Sequence, residues 1–300
     1  MRLLIAIALL LSPIAASAQD VGTVTIIEGP AQILRGLGRL HAAEGVRLVA
    51  GDILQTSQPT FVQIEMTDRS VMQVGPSTRL MFQAASQRPK TEPGLYLLEG
   101  WLKRVTSKRD NAAPSGMDLR APSFELPAGV AVAVLHSTPA ELKLFVESGE
   151  LRLTERQKGA SPTLALRAGN FYLRKLPAPG NVASGVPPSF VDALPRAFRD
   201  SLPLRGERYR ERAVAPRDAP AFDYADVEPW LKAEPAVRRP LMQRWRSKAA
   251  EPPFRAALVA NLSSHPEWDP ILFPEKYKPK IPVPPRPPVD PGPSAASAPN

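Results

Sequence analysis

Asp52 and Asp68 are the acidic side chains in two turn motifs, Gly51-Asp52-Ile53-Leu54-Gln55-Thr56 and Asp68-Arg69-Ser70. Two carboxylates facing each other across a cleft could hydrolyse a glycan by acid–base chemistry. A carboxylate inside a turn has a simpler use, which is to accept hydrogen bonds from nearby backbone N–H groups. The turn reading covers both residues. Histidine chemistry is thin, because His41, His136 and His265 are the three histidines and show no HxH, HxxxH or HExxH spacing. The chain has no cysteine, which removes thiol catalysis, iron–sulfur clusters and thiolate zinc sites together. No GxSxG, SxxK, P-loop or EF-hand pattern occurs, and Ser77 beside Pro76 reads as a turn serine. The reading is a non-enzyme with no catalytic residue, no metal ligand and no cofactor.

The start of the chain sets the compartment. Arg2 precedes an unbroken apolar run, Leu3 to Leu11, which Ser12-Pro13 ends. Ala16-Ser17-Ala18 then gives the small-x-small pattern of a cleavage site. Residues 1–18 read as a secretory signal peptide cut between Ala18 and Gln19. The run is too short for a permanent membrane anchor, and no second run of spanning length follows. The expected product is periplasmic, in a Gram-negative bacterium, with no transmembrane segment. The chain carries 38 Lys and Arg against 29 Asp and Glu. In an exported protein that balance suits acidic envelope components rather than nucleic acid.

The remaining chain divides by pattern. Val21–Ile27, Ala31–Leu34, Phe61–Met66, Val71–Val74, Leu95–Leu98, Trp101–Val105, Val130–Leu135, Glu141–Val146, Glu150–Leu153 and Asn170–Leu176 read as short strands. Phe61–Met66 comes close to the period of two of a half-buried strand. Three stretches share one template of strand, glycine turn and strand. They are Ile26-Ile27-Glu28-Gly29, Leu97-Leu98-Glu99-Gly100 and Val146-Glu147-Ser148-Gly149, each with the strand that follows it. Short strands with a turn about every ten residues predict a sandwich, a barrel or a short solenoid.

Residues 177–188 are rich in proline, glycine and small side chains and read as a linker. The pattern then turns helical, over Asp192–Leu202, Tyr224–Leu231, Ala236–Trp245 and Phe254–Leu262. Pro235 and Pro252 suit first helical turns. Ser264-His265-Pro266-Glu267 has the form of a capping box. Trp230, Trp245 and Trp268 are expected to form the core of this small helical unit. Residues 278–300, with PVPPRPPVDPGP at their centre, can form neither helix nor sheet and read as an extended, disordered tail.

Gly51-Asp52-Ile53-Leu54-Gln55-Thr56, the strand Val62 to Met66, Asp68-Arg69-Ser70, and Val71 to Val74 ending at Pro76-Ser77-Thr78 resemble the FecR domain. That family carries a "GD-x-φ-x-T" turn, an alternating strand, "DGS" and a strand ending near "P-x-S/T". Leu98-Glu99-Gly100, Val146 to Leu151 and Leu166 to Asn170 resemble its second half. The resemblance makes Gly51, Asp52, Thr56, Asp68, Ser70 and Pro76 structural turn residues. Arg69 replaces the motif glycine, so this turn either avoids positive φ or is strained. Val132 to Thr138 lacks the family's "RGT" turn. The implied architecture is a mainly β module over 19–176, a linker over 177–188, a helical accessory domain over 189–277 and a tail over 278–300.

What the resemblance implies is a periplasmic, non-catalytic binding or sensing module. FecR itself relays a signal through a cytoplasmic segment and a membrane helix, and this chain is expected to lack both. The partner is expected to be an envelope protein or glycan, held by strand edges and loops. The alternatives are an enzyme acting on envelope polymer and a peptidoglycan-binding protein. Sequence leaves the identity of the partner and the oligomeric state open.

Overall fold

The structure, a computed structural model, describes residues 19–83, 94–106, 116–157, 159 and 161–278. The expected signal segment and all of the tail except Lys278 lie outside the described residues.

Seventeen strands occur among the described residues. The first nine are β1 (Asp20–Glu28), β2 (Ala31–Arg35), β3 (Gly38–His41), β4 (Arg47–Val49), β5 (Ile53–Thr56), β6 (Phe61–Met66), β7 (Val71–Val74), β8 (Arg79–Gln83) and β9 (Gly94–Val105). The others are β10 (Asp118–Arg120), β11 (Phe124–Leu126), β12 (Ala131–Ser137), β13 (Glu141–Glu155), β14 (Thr163–Arg167), β15 (Asn170–Lys175), β16 (Asn181–Ser184) and β17 (Arg217–Asp218). Five α-helices follow the same order: α1 (Pro188–Ala193), α2 (Tyr224–Leu231), α3 (Pro235–Arg244), α4 (Pro252–Ala260) and α5 (Asp269–Leu272).

The strands form two sheets. The first runs β4-β1-β6-β7-β9-β12-β13-β15-β16 and is antiparallel throughout. The second runs β17-β3-β2-β5-β8-β9-β10-β11-β13-β14, with β9–β10 its parallel pair. β9 and β13 belong to both. Residues 94–99 of β9 pair with β8 and β10, while 100–105 pair with β7 and β12.

The sequence template of strand, glycine and strand marks these crossings. Two of the three expected hairpins are single bent strands, with Gly100 (φ +113°) and Gly149 (φ +80°) as the corners. A Cβ at Gly100 would lie 2.3 Å from Thr78 Oγ1, and one at Gly149 would lie 2.3 Å from the Val130 carbonyl oxygen. Glycine meets both the positive φ and the close approach. Gly29 stands between β1 in the first sheet and β2 in the second, so it serves the same purpose.

One apolar core lies between the sheets, from Val24, Ile64, Val74 and Leu144 on one side to Ile33, Leu54, Leu80 and Leu153 on the other. The strands are nevertheless not half-buried as expected. Alternate side chains feed a different core on the outer face. In β8, Leu80 and Phe82 face the inner core, whereas Met81 packs with the helices. Leu34, Ile53, Met81 and Tyr96 meet Trp230, Trp245 and Trp268 on that outer face. On the first sheet Ile26, Phe61, Val134 and Phe171 meet Phe190 and Phe198. Strands covered on both faces read as near-continuous apolar runs, which explains why the alternation in Phe61–Met66 is imperfect.

The helical region follows the sequence signals closely where capping is local. Asp223 caps α2 and accepts the Asp226 amide, while the Asp226 carboxylate accepts the Asp223 amide, a reciprocal capping box. Pro235 and Pro252 open α3 and α4. The three tryptophans are 0%, 0% and 1% exposed, and so form the expected core. Two local expectations differ. The helix expected over 192–202 is α1 followed by one 3₁₀ turn, because Leu194 precedes Pro195 and is held extended (ψ 132°). Ser264 caps nothing, and Glu267 instead takes the Arg238 guanidinium at 2.8–3.1 Å. The stretch expected as a linker, 177–188, carries strand β16.

Candidate functional site

The six motif residues occupy three separate corners. Asp52 is fully buried. Its carboxylate accepts Arg35 Nε at 2.8 Å, the Arg35 guanidinium again at 2.6 Å, and the Val49 amide at 2.9 Å. Gly51 is next to it, and its carbonyl takes Arg244 at 2.6 Å. At the second corner, Thr56 donates to the Gly75 carbonyl at 2.7 Å, and Thr56 Oγ1 accepts the Thr78 amide at 2.9 Å. Pro76 lies inside that turn, and its carbonyl accepts the Thr78 hydroxyl at 3.1 Å. At the third, Asp68 accepts the Ser70 amide at 2.8 Å, the Ser70 hydroxyl at 2.6 Å and the Gly116 amide at 2.7 Å. Arg69 takes φ +69°, so the glycine-lacking turn is the strained alternative. Both aspartates have their oxygens engaged by internal donors. The two hydrogen-bond sets share no residue, so Asp52 and Asp68 serve different corners. Among the described residues no group of three or more His, Asp or Glu is placed to hold a metal ion.

Thr78 does more at its corner than its neighbours. Its hydroxyl meets the Gly75 carbonyl, and Thr78 Oγ1 accepts the Trp101 amide at 2.9 Å, which ties β7 to the bend in β9. Its place in the Pro76-Ser77-Thr78 motif was the available signal.

Two surface clefts lie along the seam between the second sheet and α2, and a third of about 450 Å³ is lined by Glu125, Thr154, Arg156 and Gln157, among others. A polar cleft of about 420 Å³ is lined by Pro30, Gln32, Gln55, Ser57, Gln58, Ser77 and Arg79, among others. An apolar cleft of about 350 Å³ is lined by Leu98, Glu99, Pro122, Pro139, Leu176 and Pro229, among others. Arg79 and Glu99 oppose each other across β8 and β9 and form an ion pair, so that pair stands between the clefts. α2 borders both, since Gln55 donates its amide to the Asp226 carbonyl at 3.1 Å and Pro229 lines the apolar side. Sequence reasoning named Gln55, Thr56, Ser77 and Glu99 only as motif or turn residues and passed over Gln32, Ser57, Gln58 and Arg79. Each is an unremarkable strand or turn residue until α2 is laid beside it.

The two sheets differ at their ends. At one end, β3 is paired by β17, and Val46 of the first sheet's edge bridges Val214. At the other end, β14 and β16 each pair on one side only among the described residues. Gly185 donates its amide to Gly169 at 2.8 Å, so residue 185 points into the sheet. Strand alternation then turns the N–H and C=O of Val182 and Ser184 outward. β16 is Asn-Val-Ala-Ser, without charge or proline, and every residue in it is exposed.

No family model and no curated protein matches this chain. Two crystal structures of a candidate anti-sigma factor from Parabacteroides distasonis ATCC 8503 are similar to it. They share 10% and 9% identity with it at TM-scores of 0.36 and 0.37, and each likeness covers 44% of this chain and 59% of that chain. The likeness therefore spans less than two thirds of those chains.

Proposed function

We propose that this protein is an exported, non-catalytic binding module of FecR-like type, and that it holds an envelope protein by adding one of that protein's strands to β16. The observation that carries this reading is the bare edge of β16. An edge strand without charge, proline or bulge invites pairing, and most proteins blunt such edges. Here the opposite end of the sandwich is covered from within the chain, while β16 presents the outward N–H and C=O groups of Val182 and Ser184. Main-chain pairing of this kind supplies affinity, and alternate side chains supply selectivity. The internal use of Asp52 and Asp68 speaks against an envelope-polymer hydrolase built on those carboxylates. In this reading residues 19–184, β16 included, form the binding module, Phe190 and Phe198 cover its first sheet, and the tryptophan cluster braces its second.

The test is photocrosslinking in intact cells. A photoreactive residue at position 182 is compared with one at Val259, an exposed residue of α4. A discrete protein adduct at 182 that is absent at 259 supports strand addition. Adducts equal at both positions, or none at 182, overturn it.

A further inference from the structure

The seam between the second sheet and α2 is a separate feature from the β16 edge, which belongs to the first sheet. Its polar half is lined with side-chain amides. Gln58 donates to Ser77 Oγ at 3.2 Å and Gln55 donates to the Asp226 carbonyl, which leaves both Gln carbonyl oxygens to accept. Gln32, with no side-chain bond among the described residues, offers a donor and an acceptor. Arg79 gives one N–H to Glu99, and a guanidinium carries five. The other half is mainly apolar, walled by Leu98, Leu176, Pro122, Pro139 and Pro229, with Glu99, Ser123, Ser137 and Thr138 at its polar points. Each half falls within the roughly 300–1,000 Å³ of small-ligand pockets.

The geometry points to a short, extended peptide as the ligand of this seam, with its backbone in the amide-lined half, a carboxylate on Arg79, and an aliphatic side chain in the proline-lined half. Peptide groups supply the mixed N–H and C=O that glutamine amides complement. The carboxylate matches the Arg79 N–H groups that Glu99 leaves unpaired among the described residues. A glycan fits less well. No aromatic ring lines either cleft to stack on a sugar face.

The experiment uses the full secreted chain and the probe peptide acetyl-Leu-Glu-Leu-amide, with chitotriose as the glycan probe, both by calorimetric or NMR titration. Saturable peptide binding is expected, weakened about tenfold by Arg79→Gln, a factor that matches the loss of one charge-assisted contact. Gln58→Ala, at an exposed position whose loss cannot disturb the core, is expected to weaken it severalfold. Val182→Lys, on the β16 edge, is expected to leave it unchanged. No saturation by the peptide, saturation by chitotriose alone, or peptide binding indifferent to both Arg79→Gln and Gln58→Ala would overturn the assignment. Because Val182→Lys blocks only the edge, failure here and failure of strand addition are read out separately.

Discussion

Glu155 and Arg174 face each other at 3.6 Å with 2% of each side chain exposed. Around them, Tyr172 and the Gly180 amide donate to Glu155 at 2.8 and 3.0 Å, and Arg174 donates to the Ser123 and Ala178 carbonyls at 2.8 and 3.0 Å. Burial, then the neighbouring Glu155, pushes the Tyr172 hydroxyl pKa well up, so it stays a donor. This network fastens β13 to β15 and to the chain that leads into β16.

Removing one charge from that pair leaves the other buried alone. Arg174→Met is expected to cost about 3–5 kcal/mol. Arg174→Met combined with Glu155→Gln is expected to recover part of that loss. Urea unfolding of the two single variants and the double variant checks the coupling. Simple additivity of the single effects would show that the pair is not a unit.

Arg69 occupies left-handed backbone at φ +69° without glycine's freedom. Arg69→Gly is expected to stabilise by about 0.5–1 kcal/mol, the relieved strain exceeding the added entropy of the unfolded chain. A raised thermal midpoint checks this, and a lowered one counts against strain at that turn.

The opposite change applies at the bend of β9. In Gly100→Ala the new methyl would lie 2.3 Å from Thr78 Oγ1 and 2.4 Å from Thr78 Cα, at a φ of +113°. A loss of about 3 kcal/mol or more is expected, since both the backbone and the Thr56–Thr78 corner must shift. Chemical unfolding measures it directly.

His265 is fully buried in the helical cluster, with Nε2 at 3.0 Å from the Tyr224 hydroxyl and Nδ1 without a partner. Burial, aided by Lys232 and Arg238, holds its pKa below the ordinary histidine value, 6.5. Burial also raises the Tyr224 pKa to about 12, so the phenol stays neutral across this range. Above pH ~6.5 both folded and unfolded chains carry neutral His265 and stability is full. As pH falls below that value, the unfolded chain takes a proton that the folded chain refuses. Stability then drops by up to about 1.4 kcal/mol per pH unit until the folded pKa is reached. Tryptophan fluorescence of urea unfolding at pH 7 and pH 5 follows it through Trp230, Trp245 and Trp268. His265→Gln is expected to reduce the difference, part of the remainder coming from His136, whose pKa burial also lowers.

Much of the fold could be read from local chemistry. β-branched runs placed β1, β6 and β7, and α2 was read to its terminal residues, because caps and strand propensity act within a few residues of the chain. The glycine template was legible as three corners, but whether each turned back as a hairpin or carried on into a second sheet was not. That choice depends on Thr78 and Val130 closing on Gly100 and Gly149 from distant strands.

Sequence alone determined the strand-then-helix order and the lack of thiol chemistry, since each follows from residue type and near neighbours. The tertiary structure decided which sheet faces the tryptophans, that Arg79 and Glu99 divide a seam beside α2, and that β16 is left bare among the described residues. Those features join residues tens to well over a hundred positions apart, and only the packing of one layer on another brings them together.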